Sequence, residues 1–448
     1  MSSPSKSPPG LARTLGLFEL LVIGVIMVQP TAPMPPYGAI SAAGHGHVVT
    51  TVLIAMFAML LTALSYGRMA RAYPVAGSAY SYVAREIHPA LGFITGWSML
   101  LDYVVNPLIC VIWCAKGMLA MFPSTSYPPW AIFFAALFTW LNLRGIRSTA
   151  RTNQVLAGVM GLVVVWMLAA TSFKLNAMPA YAPGFWTQPF YDPALFSWGA
   201  VSNGASVAVL TYIGFDGIST LSEEVKNPRR NILLGIVGTC LIIGVLSAVE
   251  VYAAQLLWPT AQAFPDNDTA YLYVAGRAGG AALFQTMSWT LILASIGSAG
   301  GGVLAGARLL YGMGRDGVLP RSFFGYLHPE RRIPSRNVLL IGGLCLAGAF
   351  LISYQVGAEL LNFGALIGFM GVNLSTLLHY WVRGRDRGWS FLVLPVLGFV
   401  VCLYLWLSLS VIAKVAGLAW LVLGLVYGAW KTRGFQREMV RFEEVADD

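Results

Sequence analysis

Long apolar runs separated by short polar segments dominate this chain from residue 15 to residue 430. Most runs are about 18–25 residues long, and a helix of that length crosses roughly 30 Å of hydrocarbon. The pattern therefore predicts an all-α membrane protein with twelve spanning helices. Their predicted boundaries are Leu15–Ile40, Val48–Ala70, Pro89–Met121, Trp130–Leu143, Asn153–Phe173, Phe196–Leu221, Asn231–Leu257, Gly279–Tyr311, Asn337–Ser353, Glu359–Tyr380, Phe391–Ser408 and Val411–Trp430.

Two of these spans are interrupted at membrane depth, the first at Gln29-Pro30-Thr31-Ala32-Pro33 and the sixth at Tyr212-Ile213-Gly214-Phe215-Asp216-Gly217. A broken helix leaves backbone N–H and C=O groups that hydrocarbon cannot satisfy. Such breaks persist only where protein buries them or where they line a cavity. Breaks at matching positions of two halves indicate the central site of a secondary transporter.

The two breaks also predict an internal repeat. Spans 1–5 (15–175) and spans 6–10 (196–380) form two five-helix halves, and an odd number of helices makes the second half enter the membrane from the opposite side. Spans 1 and 6 then correspond. The remaining parts are two peripheral helices at 389–430 and polar tails at 1–14 and 431–448.

Composition and charge support this class and predict the orientation. Hydrophobic residues make up 57% of the 448, charged residues 10%, and mean hydropathy is +0.68. With both tails in the cytoplasm, 24 of the 28 lysines and arginines fall on the inside, as the positive-inside rule requires. The net charge of +9 is spread over short loops. It therefore indicates a cytoplasmic face against anionic lipid of the cell membrane, and no nucleic-acid partner.

Carboxylates within predicted spans are few, and each costs about 2.5–3.5 kcal/mol at the bilayer centre on insertion scales. Asp216 lies inside the second break, where it could take up a proton, contact a substrate ammonium or hold the break open. We expect substrate and proton to be coupled through Asp216. Asp102, near the middle of span 3, and Glu250, near the outer end of span 7, are the alternative coupling residues, although Glu250 could simply reach interfacial water.

Other polar groups in the spans have two interpretations each. Ser295 and Ser298 of span 8 could coordinate a cation opposite the first break, but close packing of this glycine-rich helix also explains them. Lys116 of span 3 either points into the bundle or extends outward. The five histidines are scattered and the five cysteines lie inside helices. We therefore predict no enzymatic constellation, no metal site and no cofactor.

The first break is poor in hydrogen-bond donors because proline has no N–H. Donors remain only at Gln29, Thr31, Ala32 and Met34, which favours recognition of a substrate ammonium without excluding an α-carboxylate. We predict that the substrate lies between the two breaks, with Tyr103 and Trp289 as aromatic walls that attract an ammonium. The predicted contacts are Gln29, Thr31 and Ala32 from the first break and Leu210, Tyr212, Ile213 and Asp216 from the second.

Several motifs make the chain similar to the amino acid–polyamine–organocation superfamily over essentially its whole length. The motifs are Tyr73-Pro74-Val75-Ala76-Gly77-Ser78-Ala79-Tyr80, Gly96-Trp97-Ser98-Met99-Leu100-Leu101-Asp102-Tyr103, Gly214-Phe215-Asp216 with the following Leu221-Ser222-Glu223-Glu224-Val225-Lys226-Asn227-Pro228-Arg229-Arg230, and Arg308-Leu309-Leu310-Tyr311-Gly312-Met313-Gly314-Arg315-Asp316-Gly317-Val318-Leu319-Pro320. The resemblance implies the leucine-transporter fold and the uptake or exchange of amino acids or amines.

Within that superfamily the chain resembles the bacterial putrescine importers, which share Leu101-Asp102-Tyr103 and Asn362-Phe363-Gly364-Ala365-Leu366. Those importers carry an acidic residue in the second part of helix 1, where this chain has Pro35. The second ammonium of a diamine would therefore lose a partner, and neutral amino acids or monoamines become alternative substrates.

The predicted function is import of an amino acid, amine or polyamine by proton-coupled symport, with sodium as the second choice of coupling ion. Exchange of substrates across the membrane is an alternative mechanism. A sensor that resembles a transporter without transporting is an alternative of another class. The predicted partners are a small amino acid or amine, the coupling ion and the lipid bilayer.

Overall fold

A computed structural model describes residues 15–73, 78–145, 150–178, 181–221, 225–259, 262–315, 317, 319–384 and 388–432. The predicted tails at 1–14 and 431–448 lie outside these ranges, apart from residues 431 and 432, as do residues 74–77, 222–224, 316 and 318 of the motifs. Fifteen α-helices occur in the described residues: α1 (Leu17–Val28), α2 (Tyr37–Ala43), α3 (Val48–Ala72), α4 (Ser78–Glu86), α5 (Pro89–Met121), α6 (Tyr127–Leu143), α7 (Ala150–Asn176), α8 (Trp198–Ala208), α9 (Pro228–Leu257), α10 (Ala270–Arg315), α11 (Arg321–Phe324), α12 (Ser335–Leu351), α13 (Tyr354–Thr376), α14 (Ser390–Leu407) and α15 (Val411–Thr432).

Eight helices of the described residues are long and apolar enough to cross a membrane by length and composition, namely α3, α5, α7, α9, α10, α13, α14 and α15. The first, fourth, sixth and ninth predicted spans correspond to shorter helices. The chain is therefore an all-helical membrane protein, and the full set of twelve spans stays a prediction.

Helix α1 ends at Val28 because four prolines follow it. Gln29 adopts φ 78°, a conformation that costs a non-glycine residue about 1–3 kcal/mol, and turns lead from there to α2. After α8, a 3₁₀ turn over Val209–Tyr212 leads to Gly214 at φ 117°, which only glycine adopts readily. A second 3₁₀ segment, Phe215–Leu221, completes the interruption. Both segments singled out in the sequence are therefore non-α-helical.

The helix contacts follow a reciprocal pattern. Helix α1 packs on α9, and the second break and α8 pack on α3. Similarly, α5 packs on α12 and α13, while α10 packs on α6 and α7. If each span of one half is replaced by the corresponding span of the other half, every one of these contacts becomes another contact that is observed. The contact of α1 with α9, for example, becomes the contact of α8 with α3. The central helix α5 also contacts α10 directly, and residues of both helices lie near the two breaks.

The predicted start of span 8 at Gly279 coincides with a bend inside α10. Gly279 and Gly280 leave the helical conformation, with φ −128° and φ 70°. They separate a short first piece of α10 from its long apolar part. Together with the turn before it, the short piece forms a segment, residues 262–278, that we call the cap segment.

Candidate functional site

A cavity of about 530 Å³ lies where the two breaks meet. Gly214 approaches α1 so closely that an added Cβ would lie 3.4 Å from the carbonyl oxygen of Met27. The walls come from the end of α1, the second break, α5, α7, α10 and the start of α13. Met27 is 44% exposed and Gly297 is exposed, so the cavity opens between α1, α7 and α10. Its volume falls in the range of small-molecule pockets, about 300–1,000 Å³.

Most of the residues predicted for the substrate and coupling sites line this cavity. Asp102 is 9% exposed, and Asp216 is half-buried opposite it. The predicted residues among the lining are Gln29, Ala32, Asp102, Tyr103, Leu210, Ile213, Asp216, Ser295 and Ser298.

Four predicted residues lie elsewhere. Thr31 is buried and is not part of the lining. The hydroxyl of Tyr212 donates to the backbone oxygen of Val52 in α3 at 2.9 Å, so this side chain joins α3 to the break. Trp289 is 46% exposed on another side of α10. Glu250 is fully buried away from the cavity. The proposed substrate site below therefore omits these four.

The two carboxylates of the cavity act on each other electrostatically, and Tyr103 lies within the electrostatic range of both. No charged side chain of the opposite sign is among the lining residues in the part of the chain that the structure describes. The cavity therefore carries two acidic groups without a resident basic partner. Such a site attracts a cation, since like charges at close range otherwise raise each other's energy.

The backbone amides near the cavity are largely used by the chain itself. In the first break, the amides of Gln29, Ala32 and Met34 donate to backbone carbonyls three or four residues earlier. In the second break, the Asp216 carboxylate accepts hydrogen bonds from the backbone amides of Gly214, Asp216 and Gly217, and the Gly217 amide also donates to the Gly214 carbonyl oxygen at 3.1 Å. A ligand carboxylate would therefore find few uncommitted donors on either break.

Gln29 and the serines connect the first break to α10. The Gln29 amide nitrogen donates to the carbonyl oxygen of Ala294 at 3.3 Å. The Ser298 hydroxyl lies 3.4 Å from both the amide nitrogen and the amide oxygen of Asn106. A cation between the first break and α10 would have to share these oxygens with the hydrogen bonds already present.

Sequence reasoning missed several lining residues of α5 and α13. Asn106, Ile109, Cys110 and Trp113 follow Asp102 at spacings of three or four, so they share its helix face. That spacing was the available signal. Tyr354 comes from the first residue of α13, and the local sequence around it gives no such signal.

Lys116, whose direction the sequence left open, forms an ion pair. Its ammonium lies 2.8 Å from Asp266 and 3.8 Å from Asp268, so it ties α5 to the cap segment. Each of these side chains retains partial exposure, and the pair contributes modestly to stability. Its position matters more than its energy, because it joins the central helix α5 to the cap segment.

The family profile described as "Amino acid permease" matches residues 15–429. The low-affinity putrescine importer PlaP of Escherichia coli K12 is 36% identical, with 99% of each chain covered. The methylthioribose transporter of Bacillus subtilis is 27% identical over 95% of each chain, and the branched-chain amino acid permease BcaP of Lactococcus lactis is 27% identical over 93% of each. These relatives indicate a transporter of amino acids or amines. The chain belongs to the amino acid permease family of the amino acid–polyamine–organocation superfamily and is a multi-pass membrane protein.

Proposed function

We propose that this permease imports an organic diamine of the putrescine type across the bacterial cytoplasmic membrane. The observation that carries the proposal is the pair of carboxylates, Asp102 and Asp216, that line one cavity without a basic partner among the described lining residues. A diamine brings two positive charges to two negative ones. A monoamine would leave one carboxylate uncompensated, which is costly in a partly desolvated site.

The backbone amides near the cavity already have hydrogen-bond partners within the chain, and this favours an amine over an amino acid as the substrate. Because Asp216 accepts hydrogen bonds from its own turn, a substrate α-carboxylate would compete with it for the same donors. It would also approach two negative charges. The presence of Pro35 at the cavity does not remove the second ammonium's partner, since Asp102 is available to fill that role.

The proposed fold is the 5+5 inverted repeat with twelve spans and both tails cytoplasmic. The reciprocal helix contacts and the two adjoining breaks support it. In such folds the two halves move against each other around a fixed central site. The proposed substrate contacts are therefore Gln29, Ala32, Asp102, Tyr103, Leu210, Ile213 and Asp216.

Symport with protons is the proposed mechanism, and it changes the role expected for Asp216. An ammonium and a proton that share one carboxylate exclude each other, which suits exchange rather than symport. The proton site must then lie apart from the substrate carboxylates. The proton is preferred to sodium because a sodium ion at the Ala294 carbonyl and the Ser298 hydroxyl would have to share these oxygens with the hydrogen bonds from Gln29 and Asn106.

Uptake into proteoliposomes tests this function. We expect inward pH gradients, and not sodium gradients, to drive accumulation of labelled putrescine well above that of leucine. Asp216→Asn should strongly weaken putrescine binding to the purified protein, because it removes one of the two charges. Preferential uptake of leucine, or unchanged putrescine binding by the Asp216→Asn variant, would contradict the proposal.

A further inference from the structure

Glu250 of α9 has an unusual environment. Its side chain is completely buried, and both carboxylate oxygens lack a hydrogen-bond partner among the described residues. An ionised carboxylate enclosed in this way would lose its hydration without compensation, a cost of several kcal/mol or more. The conformation seen here is therefore compatible with the neutral acid and not with the anion.

The groups around Glu250 provide no positive charge. Tyr271 of α10 donates its hydroxyl to the backbone oxygen of Glu250 at 3.3 Å, leaving the carboxylate itself unpaired. Tyr37 of α2 meets the Tyr271 ring edge-on at 5.4 Å. Tyr212, which packs on α9 near Gly244, donates to α3 instead. In the described parts of the elements that pack on α9, no cation contacts this carboxylate.

The cap segment closes over this region. Phe264 stacks on Trp258 at 4.7 Å and meets Tyr37 edge-on at 6.0 Å. Gly38 of α2 fits against the cap so closely that an added Cβ would lie within 2 Å of the Asn267 carbonyl oxygen. Glu250 is thus covered by the contact between α2 and the cap segment, at the end of α9 that is predicted to face outward.

The same face of α9 carries further uncommitted polar atoms. The hydroxyls of Ser247 and Thr239 are buried and have no hydrogen-bond partner among the described residues. They lie three and eleven residues before Glu250, which places them on one side of the helix. Thr239 contacts α1 at Gly24, so this polar stripe runs from Glu250 towards the broken helix of the substrate cavity.

We propose that Glu250 is a proton-binding site, separate from the substrate carboxylates, that is loaded from outside when the cap segment is open and must be protonated for the cap to close. This inference rests on the proposed function, since a symported proton needs a site that the ammonium groups do not occupy. Separate sites allow proton and substrate to be bound together, as symport requires. The neutral acid fits the closed interface, whereas the anion holds it open.

Glu250→Gln tests the proposal because glutamine keeps the size and stays neutral at every pH. We expect it to lose accumulation driven by a pH gradient while retaining exchange of labelled for unlabelled putrescine. The exchange rate of the variant should no longer depend on external pH. The exchange rate of the wild type should fall by up to about tenfold per pH unit above the pKa of Glu250, because one proton must bind. Retained gradient-driven accumulation would overturn the proposal.

Glu359→Gln is the matched control. Glu359 is equally buried, but its carboxylate accepts hydrogen bonds from the backbone amide of Ser410 at 2.8 Å and from Gln355 at 3.1 Å. We expect Glu359→Gln to keep the coupling and the pH profile of the wild type, whatever its effect on stability. Equal loss of coupling in both variants would contradict a specific role for Glu250.

A second measurement follows the cap without any substrate. Ala270 is 1% exposed and its Cβ faces Gly38, so a thiol introduced by Ala270→Cys should react from outside only when the cap opens. The five native cysteines are buried. Thiol reactivity itself rises with pH, so labelling by an impermeant maleimide is compared at each external pH between the Ala270→Cys variant and the Ala270→Cys/Glu250→Gln double variant. The ratio of the first rate to the second should increase with external pH. An unchanged pH dependence would refute the role of Glu250 even if putrescine proves not to be the substrate.

Discussion

Replacing Asp102 by asparagine isolates the second charge of the proposed diamine site. Asparagine preserves the shape of the side chain and removes its negative charge. Two unit charges about 4 Å apart interact by about 4 kcal/mol at an effective dielectric constant near 20. Asp102 is 9% exposed in a cavity that reaches the protein surface, so we expect the lower end of the range for truncated charge pairs, about 2 kcal/mol.

That energy corresponds to about 30-fold weaker binding of putrescine. A monoamine of the same chain length should bind the Asp102→Asn variant as tightly as the wild type or more tightly, because it leaves one carboxylate unpaired in the wild type. The ratio of the two dissociation constants is therefore the informative quantity. Competition of butylamine and putrescine against labelled putrescine on the purified protein measures it directly.

Two controls make this assay decisive. Asp266→Asn removes an acidic residue that pairs with Lys116 outside the cavity, and it should leave the ratio unchanged. The double variant Asp102→Asn/Asp216→Asn should lose less diamine binding free energy than the sum of the losses in the two single variants, since both carboxylates act on the same ligand. Equal weakening of both amines by Asp102→Asn, or no effect on either, would refute its assignment to the second ammonium.

Two further predictions concern the ends of the helices. Burial alone would raise the pKa of Glu86, but hydrogen bonds from His379 at 2.6 Å and Tyr73 at 2.5 Å bring that pKa below its ordinary value. Ionised Glu86 therefore stabilises the fold at pH values above its ordinary titration range, and this stabilisation is lost as pH falls through the lowered pKa. Glu86→Gln should flatten the acid side of the plot of melting temperature against pH. Parallel plots for the wild type and the variant would contradict this. Gly38→Ala should clash with the Asn267 carbonyl and disfavour closure of the cap segment by about 1–3 kcal/mol. Uptake should then be slower, and labelling of the cap segment by an impermeant reagent should rise about 5- to 150-fold. Unchanged labelling would contradict the close approach of α2 to the cap segment.

The sequence predicted the helices well because their boundaries have local causes. Pro89–Met121 forms a single helix, as predicted, and it begins directly after His88, whose ring accepts the amide hydrogen of Ala90. Prolines and Gly214 likewise interrupt the helices locally. Trp289 does not line the cavity, and the sequence could not indicate this because a largely apolar helix does not reveal which of its faces is exposed.

The relations between distant residues could not be read from the chain. Lys116 has its partners in the cap segment, far along the sequence, and no local pattern indicates them. Asp102 and Asp216 were each identified alone, but their meeting at one cavity depends on how α5 packs beside the second break. The burial of Glu250 without a hydrogen-bond partner for its carboxylate among the described residues also results from packing. The sequence suggested contact with water, because the residue lies near a helix end.

The hydrogen bonds that Asp216 accepts from its own turn have an evolutionary consequence. The Asp216 carboxylate takes the amide donors that the carboxylate of an amino acid substrate would otherwise use. The protein itself therefore provides the anionic group at this position, and the ligand does not have to carry one. An Asp216→Gly change requires one nucleotide and would free those donors while removing the charge. We therefore expect Asp216→Gly to shift the preference of this carrier from amines towards amino acids, with the remainder of the scaffold unchanged.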